Sequence, residues 1–232
     1  MPNIAIIPAR GGSKRIPRKN IKFFLGKPII AYSIEAAINS NLFDEVMVST
    51  DDDEIASIAL KYGAKVPFLR SEKNSDDFAT TYDVIEETLI NYKKQGKNFD
   101  YACCIYSCAP LIQIASLQEA FTVLQQNFLD TVFPVVPFSF PIQRALRLQE
   151  EKLSFFYPEF ALTRSQDLEI SYHDVGQFYF MNCEQVLKKK ALLTDKTGTV
   201  VLNELLVQDI DNESDWMLAE FKYKIQILNE KI

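Results

Sequence analysis

The 232-residue chain reads as an α/β fold built on a mainly parallel sheet with helices on both faces. Two observations predict it. As far as Val136, short apolar runs bounded by turn residues alternate with segments of helical period. The first of these runs, Ile4-Ala5-Ile6-Ile7, feeds directly into a cationic loop holding Gly11 and Gly12. In open parallel sheets, ligands gather at the carboxyl ends of strands, which is where that loop falls.

The elements follow in order. Strands are predicted at 3–8, 45–49, 65–69, 101–106 and 131–136, where apolar and β-branched residues run between turn formers. Helices are predicted at 29–39, 52–62, 80–94 and 117–126, from apolar residues three and four apart. The second helix has Thr50 or Asp51 as its cap, Asp52, Asp53 and Glu54 at its positive end, and Gly63 to stop it. Beyond residue 137 the rhythm breaks into short, aromatic-rich strands and turns. The segment 138–173 reads as a β-rich excursion that serves either a subunit contact or a buried cap within one subunit. A strand at 176–180, an extended stretch at 200–210 and a closing helix at 212–228 complete the chain, and Lys188–Lys190 is expected to be a solvated helix face. With no repeat or flexible linker, residues 1–232 are expected to form one domain.

Charge is distributed unevenly. Seven cations and no carboxylate fall in the first 34 residues, although the chain as a whole carries −6. Five of them crowd into Arg10, Lys14, Arg15, Arg18 and Lys19. Glycines let backbone N–H groups approach an anion and the cations balance its charge, so the loop is a candidate polyphosphate site. It has neither the Walker A spacing nor G-x-G-x-x-G, so side chains must supply much of the grip.

Composition excludes several classes. Hydrophobic residues at 47% and charged residues at 24% fit a globular protein, and no apolar stretch approaches a membrane span. At the N-terminus apolar residues precede the cations, the reverse of a secretory signal, so a cytoplasmic protein without a membrane partner is expected. A compact basic segment in an acidic chain argues against nucleic-acid binding. Cys103, Cys104, Cys108 and Cys183 read as reduced core residues rather than a disulfide framework. With His173 the only histidine and no C-x-x-C pair, zinc is not expected.

Specific motifs take the reading further. Ile7-Pro8-Ala9-Arg10-Gly11-Gly12-Ser13-Lys14 continues to Arg18-Lys19-Asn20; further blocks are Gly26-Lys27-Pro28-Ile29-Ile30, Val48-Ser49-Thr50-Asp51, Arg70 and Asp77-Phe78-Ala79-Thr80-Thr81-Tyr82-Asp83. Asp209-Ile210-Asp211 with Glu213-Ser214-Asp215 closes the series. In these blocks, kept in order over nearly the whole length, the chain resembles the CMP-sialic acid synthetase family, the cytidylyltransferases that activate nine-carbon acidic sugars. Where sialic acid synthetases usually read Gln-Pro-Thr-Ser-Pro-Leu, this chain has Tyr106-Ser107-Cys108-Ala109-Pro110-Leu111. Arg164-Ser165-Gln166-Asp167-Leu168 and Tyr172-His173-Asp174-Val175-Gly176-Gln177-Phe178-Tyr179 resemble the subgroup acting on pseudaminic acid.

The resemblance implies a Rossmann-like nucleotidyltransferase sheet with a small β-rich dimerisation excursion, and a homodimer. It also implies a reaction in which the anomeric hydroxyl of the sugar attacks the α-phosphate of CTP and releases pyrophosphate. Arg10, Lys14 and Lys19 are then the catalytic cations on the triphosphate, with Ala9, Gly12, Ser13, Asn20, Arg70 and Thr81 completing the nucleotide site. Tyr106, Arg164, Gln166, His173, Gln177 and Tyr179 are assigned to the acidic sugar. Asp209 and Asp211, two apart, would share one face of an extended strand and suit Mg²⁺. Taken without the resemblance, helix capping by Asp211 or Asn212 is the better account of that segment. Other readings are an N-acetylneuraminate cytidylyltransferase, a glycosyltransferase using Asp51–Asp53 as a D-x-D metal site, and a catalytically silent nucleotide-binding regulator.

Overall fold

The computed structural model describes residues 1–229. In chain order the elements are β1 (Asn3–Pro8), β2 (Phe23–Phe24), β3 (Lys27–Pro28), α1 (Ile29–Asn39), β4 (Glu45–Ser49), α2 (Asp53–Lys61) and α3 (Thr81–Lys94). There follow β5 (Tyr101–Ile105), α4 (Ile114–Gln126), β6 (Thr131–Pro137), β7 (Leu146–Gln149), β8 (Lys152–Phe155) and β9 (Tyr172–Asp174). The chain closes with β10 (Phe178–Asn182), α5 (Cys183–Lys189), β11 (Thr197–Val201) and α6 (Glu213–Asn229).

One sheet dominates, with strand order β11-β6-β10-β5-β1-β4 and β9 beside β6. β1 is parallel to both β4 and β5, with Ile4 opposite Glu45 and Asn3 opposite Tyr101. β11 is parallel to β6, while β10 runs antiparallel between β5 and β6. Strands β4, β1, β5, β6 and β11 therefore share one direction, and the mainly parallel sheet is as predicted.

The period-two alternation of β1 explains the layering. Ala5 and Ile7 pack with Ile30 and Ile34 of α1 and Leu117 and Ala120 of α4. Ile4 and Ile6 face the opposite way, onto Ile85, Leu89 and Tyr92 of α3 and Val186 of α5. Burial on both faces is why the strand reads as an unbroken apolar run. A third cluster, Ile16, Phe24, Ile29 and Tyr32 with Trp216 and Ala219, seats α6 over the start of α1.

Four predicted features change. The 65–69 strand does not form: Lys65 alone bridges to β4, and Pro67 has no N–H with which to continue the ladder. α2 is capped by Asp52, whose carboxylate accepts the Ile55 N–H at 2.9 Å, rather than by Thr50 or Asp51. The 200–210 stretch ends as strand at Val201 and turns at Glu204–Leu206, so Asp209 and Asp211 do not lie on a strand. Lys189 is not simply solvated but pairs with Asp130 at 2.7 Å.

One irregularity positions the site. Between Val132 and Val135, β6 advances three residues while the chain opposite advances six, from Phe180 back to Asp174. The surplus, Val175-Gly176-Gln177, bulges out between β9 and β10, with Gly176 at a φ of +61° that favours glycine.

The excursion is a separate hairpin, β7–β8, whose two-residue turn puts both Glu150 and Glu151 at positive φ. It is not a buried cap. Phe140 (59% exposed), Leu153 (67%) and Leu162 (99%) face outward. Among the described residues, no helix is long and apolar enough to cross a membrane.

Candidate active site

The loop after β1 is held by carboxylates from the end of β4. Ala9 N–H donates to Ser49 O at 2.9 Å, and Gly11 N–H donates to the Asp51 carboxylate at 2.9 Å. A Cβ on Gly11 would lie 2.7 Å from Asp52 Oδ2, so only glycine allows this approach. Arg18, itself left-handed at φ 55°, places its guanidinium on Asp52 and Glu54. That guanidinium holds the Asp52 carboxyl down at about 2. Asp51 and Asp52 are thus occupied as loop anchors and helix cap, and the D-x-D reading loses its basis.

Asn20 fastens the other side of the loop. It is buried, its Nδ2 donates to Arg10 O at 2.7 Å, and its Oδ1 accepts from Ser107 Oγ at 2.8 Å and Cys108 Sγ at 3.3 Å. Both ends of its side chain position the loop against the strand end at β5.

The loop opens onto a cavity of about 440 Å³ at the carboxyl ends of β1 and β5. Of the residues singled out in the sequence, Arg10, Ser13, Lys14, Lys19, Asn20, Arg70, Thr81, Tyr106 and Asp209 line it. Arg10 Nη1 lies 2.8 Å from Asp77 Oδ1 and donates to Asp76 O at 2.7 Å, while Lys14 pairs with the other Asp77 oxygen. Lys14 and then Arg10 hold the Asp77 carboxyl below the usual range. Two loop cations already converge on one anion.

Arg70 is buried beneath, its guanidinium bonded to Ser49 Oγ at 3.1 Å and to Ser49 O, with burial lowering its pKa. Lys19 Nζ reaches Ile210 O at 2.6 Å and Arg15 pairs with Asp211 at 2.7 Å, so the loop also clasps the segment before α6. Burial, then the charge of nearby Asp211, pushes the Asp209 carboxyl up. Asn212 caps α6, accepting Ser214 N–H at 2.9 Å and Asp215 N–H at 3.1 Å, and Asp215 returns bonds to Asp211 N–H and Asn212 N–H. Capping therefore uses neither the Asp209 nor the Asp211 side chain.

Other predicted residues fall elsewhere. Ala9 is buried, and Gly12 lies on the loop outside the cavity lining. Tyr179 stands behind Tyr106, with ring centroids 5.5 Å apart. Gln177 is buried, and its Nε2 donates to Leu206 O at 2.7 Å. His173 lies on Phe138 and lines a second cavity of about 340 Å³ that shares Asp209 with the first. Arg164 and Gln166 are on an exposed turn where Arg164 pairs with Asp167 at 2.7 Å; neither lines the cavity of its own chain. The sequence did not single out Asn74, Asp76, Cys108 or Gly176, which also line it. Of these, Cys108 and Gly176 stand in the quoted motif blocks, Gly176 opening the predicted 176–180 strand, but neither was given a site role. Burial pushes the Cys108 thiol up to about 11, so it stays protonated and is no nucleophile.

The family model described as cytidylyltransferase matches residues 4–194. A pseudaminic acid cytidylyltransferase of Campylobacter jejuni subsp. jejuni serotype O:2 is 45% identical over 226 residues, covering 97% of both chains. A CMP-N,N'-diacetyllegionaminic acid synthase of Legionella pneumophila is 31% identical, covering 98% of this chain and 97% of that protein. The solved structure of a CMP:2-keto-3-deoxy-manno-octonic acid synthetase complexed with CTP shares the fold, with a TM-score of 0.69 at 16% identity over the full length of both chains. Since the family model spans most of the chain and a relative is 45% identical over nearly all of it, the chain belongs to the cytidylyltransferase family, a group of nucleotidyltransferases.

Proposed function

We propose that the protein transfers CMP from CTP to the anomeric hydroxyl of pseudaminic acid and releases pyrophosphate. The observation that carries this is the cavity in which Arg10, Lys14 and Lys19 of a strand-end loop face Asp209. Phosphoryl-type transfer depends on positioning and on charge held against the leaving group, and a cluster of cations lining one cavity supports that role. Arg70 and Thr81 would complete the nucleotide site. Identity of 45% to a pseudaminic acid enzyme against 31% to a legionaminic acid enzyme favours the first sugar.

Asp209 and Asp211 fit Mg²⁺ by their chemistry. They are hard oxygen donors, the Asp211 charge helps to raise the Asp209 carboxyl, and a cation held there would offset that repulsion, with Arg15 giving up its pair with Asp211. No group of three or more candidate metal ligands occurs among the described residues, so phosphate oxygens and water would complete the shell. When bound, the ion would neutralise charge on the phosphoryl oxygens.

Pyrophosphate release with CTP and a panel of nine-carbon acid sugars tests the reading. We expect kcat/KM for pseudaminic acid to exceed that for N-acetylneuraminic acid by roughly 10² or more, since a buried polar site left unpaired discriminates strongly. Comparable values would overturn the sugar and leave cytidylyl transfer standing. No turnover with CTP and any of the sugars would overturn the reaction.

The outward apolar side chains of the 138–173 excursion support a homodimer in which Arg164 and Gln166 reach the partner's sugar pocket. Sedimentation should give twice the 26.6 kDa chain mass, and a fully active monomer would refute it.

A further inference from the structure

β11 ends at Val201, so the segment from Glu204 to Ile210 has no neighbouring strand to take its carbonyls. Side chains take them instead. Lys222 of α6 donates its ammonium to Glu204 O at 3.1 Å and to Val207 O at 2.7 Å. Gln177 of the bulge donates from Nε2 to Leu206 O at 2.7 Å. Gln208 Nε2 reaches Asp209 O at 3.0 Å, and Lys19 Nζ reaches Ile210 O at 2.6 Å. Asp209 therefore sits in a strap whose course is set by donors from α6, the bulge and the cationic loop.

The bulge meets this strap at a second point. Gly176 passes so close that an added Cβ would lie 3.7 Å from Asp209 Cγ. The Gln177 carbonyl accepts the Tyr106 N–H at 2.8 Å, which ties the bulge to the end of β5. The strap is thus fixed relative to the strand ends around the cavity. Lys222 lines the second cavity together with Asp209, yet its ammonium bonds the two carbonyls and not that carboxylate. Gln177 is buried and lines neither of the two cavities that share Asp209. Both side chains reach Asp209 through its backbone.

Resting on the reading of Asp209 as a Mg²⁺ oxygen, we propose that Lys222 and Gln177 are positioning residues that hold the 204–210 strap so that the Asp209 carboxylate is presented to the cavity. Gln177, assigned to the sugar from the sequence, has a different task here, and Lys222 was not singled out there at all. A half-buried carbonyl stripped of its donor must find another, and the strap would turn to do so. Losing a group that orients a metal ligand costs roughly ten- to a hundredfold in metal affinity or activity.

The experiment is a Mg²⁺ titration of the full-length protein carrying Lys222→Met, Gln177→Leu, Lys222→Arg or Asp209→Ala, with CTP and pseudaminic acid. Alongside it, Mn²⁺ binding is followed by electron paramagnetic resonance with CTP present and the sugar withheld, against a control without protein. Methionine keeps the lysine stem without its donors, whereas the arginine fork can serve both carbonyls. We expect Lys222→Met and Gln177→Leu each to raise the half-saturating Mg²⁺ and to weaken Mn²⁺ binding by about tenfold. The KM for the sugar should stay within about twofold of wild type, and kcat at saturating Mg²⁺ within about threefold. Lys222→Arg should restore most of the metal response. A sugar KM that rises in Gln177→Leu while the metal response stays at wild type would return Gln177 to the sugar and overturn the proposal. An unchanged metal response in both folded variants, or Lys222→Arg no better than Lys222→Met, would overturn it as well. Should Lys222→Met melt below the assay temperature, Gln177→Leu carries the test by the same criteria. Asp209→Ala keeps the two readings apart. An unchanged Mg²⁺ response in that variant defeats the metal role itself, whereas its loss there, with wild-type response in the others, defeats only the positioning.

Discussion

Replacing Arg10 with alanine should lower turnover by roughly 10²–10³-fold, the loss that follows removal of one preorganised charge contact to a transition state. The guanidinium lies at the carboxyl end of β1, and its Nη1 is held by Asp77 and Asp76 O, so it already sits where an anion is gripped. On the proposed reading, a triphosphate would take the place of Asp77 on Arg10 and Lys14. The loop should keep its shape without the side chain. Gly11 N–H on Asp51, Arg18 on Asp52 and Asn20 on the Arg10 carbonyl all leave the Arg10 guanidinium out of the anchoring. Melting temperature should therefore stay near wild type while kcat falls at saturating CTP. A folded Arg10→Ala protein with near wild-type kcat would show that the loop does not serve the reaction.

Asp209→Ala and Asp211→Ala should each remove most Mg²⁺-dependent activity, with losses of roughly 10² or more if each supplies a metal oxygen. The two roles first open to this segment, metal binding and helix capping, now separate cleanly by residue. Asn212 and Asp215 make the α6 cap, so Asn212→Ala should cost about 0.5–2 kcal/mol of stability and leave activity intact at low temperature. The aspartate variants should do the reverse. Asp211→Ala also frees Arg15, but that pair is exposed and contributes little to stability. An unchanged Mg²⁺ requirement in both aspartate variants, or a lowered melting temperature with activity retained, would sink the metal role.

The order of strands and helices was legible because it is written locally. The alternation of Ile4, Ala5, Ile6 and Ile7 and the spacing of Ile30, Ile34 and Ala37 report burial on a two-sided sheet and on one helix face, whatever lies opposite. The cationic loop was legible for the same reason. Seven cations without a carboxylate mark a candidate anion site before any partner is known. Where local reading failed, a distant group had decided. Asp52 rather than Thr50 caps α2 because Arg18 and the Gly11 approach fix the strand end around it.

Sequence by itself determined the α/β architecture, the place of the cationic loop and, through ordered motifs, the family. Only the tertiary structure decided what the carboxylates do. Asp51 anchors Gly11, Asp77 bridges Arg10 and Lys14, and Asp209 lines the cavity with Lys19, whose amine reaches a carbonyl 191 residues away. It also moved Tyr179 from the cavity wall to a place behind it, on Asp174. A carboxylate's role is set by which donor meets it, and the donors here arrive from other strands, at separations that no local periodicity records.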